Sequence, residues 1–149
     1  MLSVVPYEPR HLIDIQARKE QAIELGLGGQ SISDMAAFYA EAGDAYSILQ
    51  TDDAGEAVPI FCGGVIQQGE HSASLWGVFS VVAPKVGVYV IHRIRHFIDK
   101  RQELRLDAWV NYKNARARKL ILTLGFELEG SLNDFFAPGV PAVIYRRAG

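Results

Sequence analysis

Few side chains in this sequence are of types that do chemistry, and most of them stand alone. His92 and His96 would share a helix face, but HRIRH lacks the glutamate of a zinc-hydrolase His-Glu-x-x-His, and no third ligand is suggested. Solvated histidines are the expectation, and no metal is assigned. Cys62 is the single cysteine, so no internal disulfide can form, and in the run IFCGGVI it reads as a small buried hydrophobe. There is no Gly-x-Ser-x-Gly elbow, no Walker A loop and no Cys-x-x-Cys pair. What remains is Asp107, a carboxylate inside the apolar segment LRLDAWV, where it must be exposed, paired or functional.

The segment that positions Asp107 runs over 104–126, LRLDAWVNYKNARARKLILTLGF. It predicts a strand over 104–110, a polar turn, an amphipathic helix over about 113–124 and a glycine stop. Ala117, Leu120, Ile121 and Leu124 recur at helical spacing, so that face should be buried. Asn114 stands where its side chain can accept from the first free backbone N–H groups, and Gly125 where a left-handed residue would end the helix. At this point the chain resembles the GNAT superfamily of acyl-CoA-dependent N-acetyltransferases, whose late strand and helix carry an Asn, an Ala three residues on and a closing Leu-Gly-Phe. Here these are Asn114, Ala117 and Leu124-Gly125-Phe126.

Read in order, the remaining chain predicts a short strand over 3–7 and a helix over 9–25 that opens on Pro9, has Leu12, Ile15, Ile23 and Leu27 as inward residues, and stops at GLGG. A second helix begins at Ser31 or Ser33 and ends near Glu41. Strands over 45–51, 58–68 and 72–80 form a meander, the first two joined by the turn Asp52-Asp53-Ala54-Gly55. A helix over 86–101 follows, with Val90, Ile94, Phe97 and Ile98 on one stripe, and two strands over 126–133 and 142–146 close the chain. The order β-α-α-β-β-β-α-β-α-β-β is that of the GNAT fold. We therefore expect one α+β domain over 1–149, with about seven strands in a mixed, mostly antiparallel twisted sheet and four helices. The resemblance also implies that the strands around 75–80 and 104–110 run parallel and splay, leaving a V-shaped gap for the pantetheine arm of acetyl-CoA.

Two departures weigh against catalysis. Relatives hold the CoA pyrophosphate on a Gln/Arg-x-x-Gly-x-Gly/Ala loop at a helix start, a natural anion site. Here the stretch is VAPKVGVY, with one glycine. If acetyl-CoA binds, the resemblance places it on Lys85, Val86, Gly87 and Val88, with Asn114. Many relatives also carry a tyrosine seven residues after the motif Asn to protonate the departing thiolate, but here that residue is Ile121, which cannot transfer a proton. Tyr112 and Tyr145 are the substitute candidates for an acid, and Asp107 for a base.

Composition is that of a globular protein of 149 residues with a substantial core. A net charge of −2 does not advertise a nucleic-acid partner, and no apolar run approaches a membrane span. The N-terminus lacks the basic and apolar regions of an export signal, so the cytoplasm is expected. A closer resemblance, to small GNAT-like proteins of tailed bacteriophages, implies host cytoplasm or virion. The sequence reading therefore favours a structural or interaction module with an eroded cofactor loop and no cofactor. It would be joined to other protein subunits, in a virion or as a homo-oligomer, through Phe135 and Phe136. The alternative is an active acetyl-CoA-dependent N-acetyltransferase.

Overall fold

The meander of β-branched and aromatic residues becomes the centre of one seven-stranded sheet, ordered β1-β2-β3-β4-β5-β7-β6. A computed structural model describes residues 1–15, 32–80 and 84–147, with the side chains of Pro84 and Lys85 outside the described set. The strands are β1 (Leu2–Pro6), β2 (Ala45–Thr51), β3 (Ala57–Gln67), β4 (Ser72–Phe79), β5 (Arg105–Asn111), β6 (Phe126–Ala137) and β7 (Val140–Arg147). The described helices are α1 (Pro9–Asp14), α2 (Ile32–Ala42), α3 (Pro84–Asp99) and α4 (Ala115–Thr123). The expected continuation of the first helix beyond Ile15, its residues Ile23 and Leu27, GLGG and the Ser31 cap all lie outside the described residues. Ser33 lies inside α2 and so cannot cap it.

Every neighbouring pair of strands is antiparallel except β4 and β5. A parallel pair needs a crossover, and α3 supplies it. Its stripe Val86, Val90, Ile94 and Ile98 is buried against Phe61, Val65, Ala73, Leu106, Ala108 and Val110. On the opposite face Leu12, Ile15, Ala36 and Tyr39 from α1 and α2 meet Cys62 and Val78, with Trp76 partly buried beside them. Strand alternation sorts these sets, since successive side chains point to opposite faces. At Gly64 the backbones come so close that a Cβ would lie 2.2 Å from the Asp44 carbonyl oxygen, which explains a glycine in the middle of a strand.

α4 keeps the ends expected of it: the Asn114 side chain accepts from the Ala117 N–H at 3.1 Å, and Gly125 takes φ +90°. Its apolar face is less covered than periodicity suggests. Leu124 is buried, whereas Ala117, Leu120 and Ile121 are only partly so. The reason is that they border open space. β6 also runs further than expected, through Phe135 and Phe136 to Ala137, after a register shift next to Asp134, whose φ is +55°.

Candidate functional site

β4 and β5 are paired only from Ser72 opposite Arg105 to Leu75 opposite Ala108. Beyond that point β4 stays with β3 as far as Phe79, and β5 stays with β7 as far as Asn111. Among the described residues no ladder bond joins the facing edges over 76–78 and 109–110, where an entering group can meet strand backbone. A cavity of about 410 Å³ occupies the parting and reaches both faces of the sheet. On the α3 and α4 side its walls include Phe97, Ala117, Leu120, Ile121 and Leu124; on the other side they include Tyr39, Trp76, Trp109, Phe135 and Phe136.

Both helices that follow the parting strands begin beyond their ends, so two helix N-termini flank the open side of the V. The first amides of a helix have no partner within it and carry partial positive charge. In α4 several backbone groups are already engaged, with the Ala117 N–H on the Asn114 side chain and the Ala115 N–H on the Lys113 carbonyl. The other is the first turn of α3. It contains Lys85, Val86 and Gly87, and a Cβ added at Gly87 would meet nothing within 4 Å. Val86 is buried in the core and Val88 is exposed. A backbone approach by an anion is therefore open at Gly87 even without a second glycine. Asn114 is itself buried, and its Nδ2 has no partner.

At the closed end of the V stands a polar group that sequence reasoning only half saw. Asp107 is 2% exposed and accepts from Ser74 Oγ at 2.5 Å and from Arg105 Nε at 3.0 Å. Arg105 also pairs with Glu129, which holds the guanidinium firmly charged and keeps the Glu129 carboxyl below its ordinary range. Ser74 lines the cavity; Asp107 stands behind it. Paired with Arg105 on one oxygen, the Asp107 carboxylate holds the Ser74 hydroxyl in one orientation with the other. Ser74 escaped notice because only the parallel register places it opposite Asp107.

The tyrosine candidates do not converge on this point. Tyr112 is 53% exposed, with the Arg118 guanidinium 4.7 Å above its ring, and Tyr145 is buried in the α3-side core, opposite Ala108. Neither lines the cavity, whereas Ile121 does. The phenols that do are Tyr39 and Tyr46, both missed in the sequence, and burial pushes Tyr46 well above its ordinary value, so it stays protonated. Phe135 and Phe136 do not form a separate patch. They touch each other and, through Phe135, Trp109, in the cavity wall, with Phe135 still 50% exposed. Among the described residues no group of three or more His, Cys, Asp or Glu comes together. Cys62 is fully buried, its thiol pushed up to about 12.

By sequence, no family model and no curated protein matches the chain. Solved structures match its shape over nearly its whole length. The N-acetyltransferase from Staphylococcus aureus superposes with a TM-score of 0.69 at 14% identity, covering 98% of this chain and 97% of that one. The ribosomal-protein-S18-alanine N-acetyltransferase from Escherichia coli gives 0.67 at 17% identity, covering 100% and 97%. A GNAT superfamily phosphinothricin acetyltransferase from Sinorhizobium meliloti, solved with acetyl-CoA, gives 0.69 at 13% identity, covering 98% and 87%.

The chain has the GNAT fold.

At these identities the likeness carries the fold and not a substrate. The expected splay between the two parallel strands is present at the place the GNAT resemblance implied. None of these GNAT neighbours points to a bacteriophage subgroup.

Proposed function

We propose that the protein is an acyl-CoA-dependent N-acetyltransferase working through the parting between β4 and β5. The observation that carries this reading is a cavity threading the sheet at its parallel pair, with the helix α3 starting beyond the end of β4. This departs from the preference for a non-catalytic module with no cofactor that the sequence suggests. The missing Gly-x-Gly weighs less once α3 begins regularly at Pro84 and nothing crowds Gly87.

Acetyl-CoA supplies an activated acyl group; transfer forms one C–N bond and breaks one C–S bond, and the proton shed by the nitrogen ends on the released thiol. The chain supplies the rest. The α3 amides receive the pyrophosphate, and the unpaired edges of β4 and β5 receive the amides of an extended arm as an added strand would be received. Ser74 Oγ, held by Asp107, accepts from the attacking amine and orients its lone pair. A tyrosine acid is dispensable because a thiol of ordinary pKa, about 8.5, leaves as thiolate, and water carries to it the proton that the nitrogen sheds. Calorimetric titration should give a dissociation constant for acetyl-CoA below about 100 μM. Absence of heat at millimolar acetyl-CoA defeats the proposal.

A second reading keeps the GNAT fold as an interaction module, in a phage particle or a homo-oligomer. Its support is the outermost strand β6, where Leu128, Leu132 and Phe135 are exposed on an edge. That reading requires failure to bind acetyl-CoA together with concentration-dependent association.

A further inference from the structure

We infer that the acceptor is a primary amine carried on a flat aromatic group. The inference rests on reading the parting as an acyltransfer site, and concerns the side of the cavity facing α1 and α2. There the wall is built from rings. Tyr39 lies on Trp76 with centroids 4.0 Å apart and planes 8° from parallel, and Tyr7 meets the same indole edge-on at 5.2 Å. Across the gap Trp109 packs on Phe135 at 5.1 Å, and Phe135 on Phe136 at 5.1 Å. Among the described residues lining the cavity none carries a charge.

That wall selects against whole classes of amine. A polyamine or aminoglycoside brings several ammonium groups, each needing a carboxylate or water, and a buried unpaired charge is costly. The nearby carboxylate, Asp107, is committed to Ser74 and Arg105. A single ammonium over aromatic faces is tolerated, and an apolar setting lowers its pKa, so that it reaches the reactive neutral form more readily. A flat ring in the acceptor gains offset or edge-to-face contact with the indoles on both sides of the gap.

The test uses the intact chain and tyramine. Trp76 and Trp109 are its two tryptophans, and both line the cavity, so tryptophan emission reports occupancy directly. Tyramine should change that emission saturably without acetyl-CoA, and its affinity, read by calorimetry, should fall about tenfold or more in Trp109→Leu or in the more exposed Phe135→Leu, checked for unchanged thermal unfolding. Spermidine and kanamycin should leave the emission unchanged. Tyramine binding followed by acetylation supports both the acceptor class and the acyltransferase. Binding without transfer on adding acetyl-CoA keeps the aromatic-amine binding site, and overturns both the acyltransferase and the role of the amine as acceptor. Acetylation of spermidine or kanamycin with tyramine inert keeps the acyltransferase and overturns the acceptor class, as does a failure of tyramine to bind.

Discussion

Replacing Asp107 by asparagine keeps the size of the side chain and changes its chemistry. The carboxylate is buried, with one oxygen accepting from Ser74 Oγ at 2.5 Å and the other from Arg105 Nε at 3.0 Å. An amide can accept from one of these donors with its oxygen, but its NH2 then faces the other: donor against donor at Arg105, or a hydroxyl turned round to accept at Ser74. If Ser74 keeps its partner, Arg105 falls back on Glu129 at little cost, because the guanidinium is 38% exposed and solvent screens what it loses. If Arg105 keeps its partner, the amide NH2 can donate to Ser74 Oγ, but the buried Ser74 hydroxyl loses the charged acceptor for its own proton. Either way a charge-assisted bond is lost, worth about 1.5–3 kcal/mol in a dry setting. With a urea m-value near 2 kcal/mol/M, the unfolding midpoint of Asp107→Asn should fall by roughly 1 M. Arg105→Ala should also destabilise, because it leaves the Asp107 carboxylate buried without a charged partner. Acetylation should fall in Asp107→Asn while acetyl-CoA affinity holds, because the altered group lies at the closed end of the V, away from the first turn of α3. A midpoint within about 0.2 M of the unsubstituted protein would refute the claim that Asp107 is a buried structural acceptor.

Three further outcomes follow from the same structure. Leu124→Ala should cost about 2–4 kcal/mol and Arg116→Ala under about 0.5 kcal/mol, because Leu124 alone of the α4 stripe is fully buried and Arg116 is exposed; equal denaturant midpoints would mean the helix face is misassigned. His11 is buried, with Nδ1 accepting from the Glu8 N–H at 3.1 Å and lying 2.8 Å from Ser47 Oγ, and burial lowers its pKa below the ordinary 6.5. The unfolded chain then binds the proton more readily, so stability is complete above 6.5 and declines as the pH falls below it, and His11→Gln should flatten that decline in unfolding measured between about pH 7 and pH 5. Cys62, buried with its thiol pushed up to about 12, should react with a thiol reagent only as fast as the protein unfolds, and prompt labelling of the native protein would contradict that burial.

Local pattern made most of the architecture legible. The strand expected over 45–51 matches β2 to its ends, helical spacing found the stripes of α3 and α4, and Asn114 and Gly125 marked a helix whose cap bond and positive φ are both present. These features depend on residues within a turn or a strand of one another, which is the range over which a sequence carries its own geometry. The site depends on longer distances. Ser74 and Asp107 are 33 residues apart and meet because β4 and β5 pair in one register and not its neighbour; a shift by one residue would send Asp107 to the other face. Periodicity likewise marked Ala117, Leu120 and Ile121 as an apolar face but could not tell whether side chains or a cavity lie beneath it, and Phe135 reaches Trp109, with Phe136 against Phe135, only because β6 pairs with β7 and β7 with β5. The residue types that could do chemistry were readable from the chain, while the parting of two strands after Leu75 and Ala108, which brings them together around open space, was decided by tertiary pairing alone.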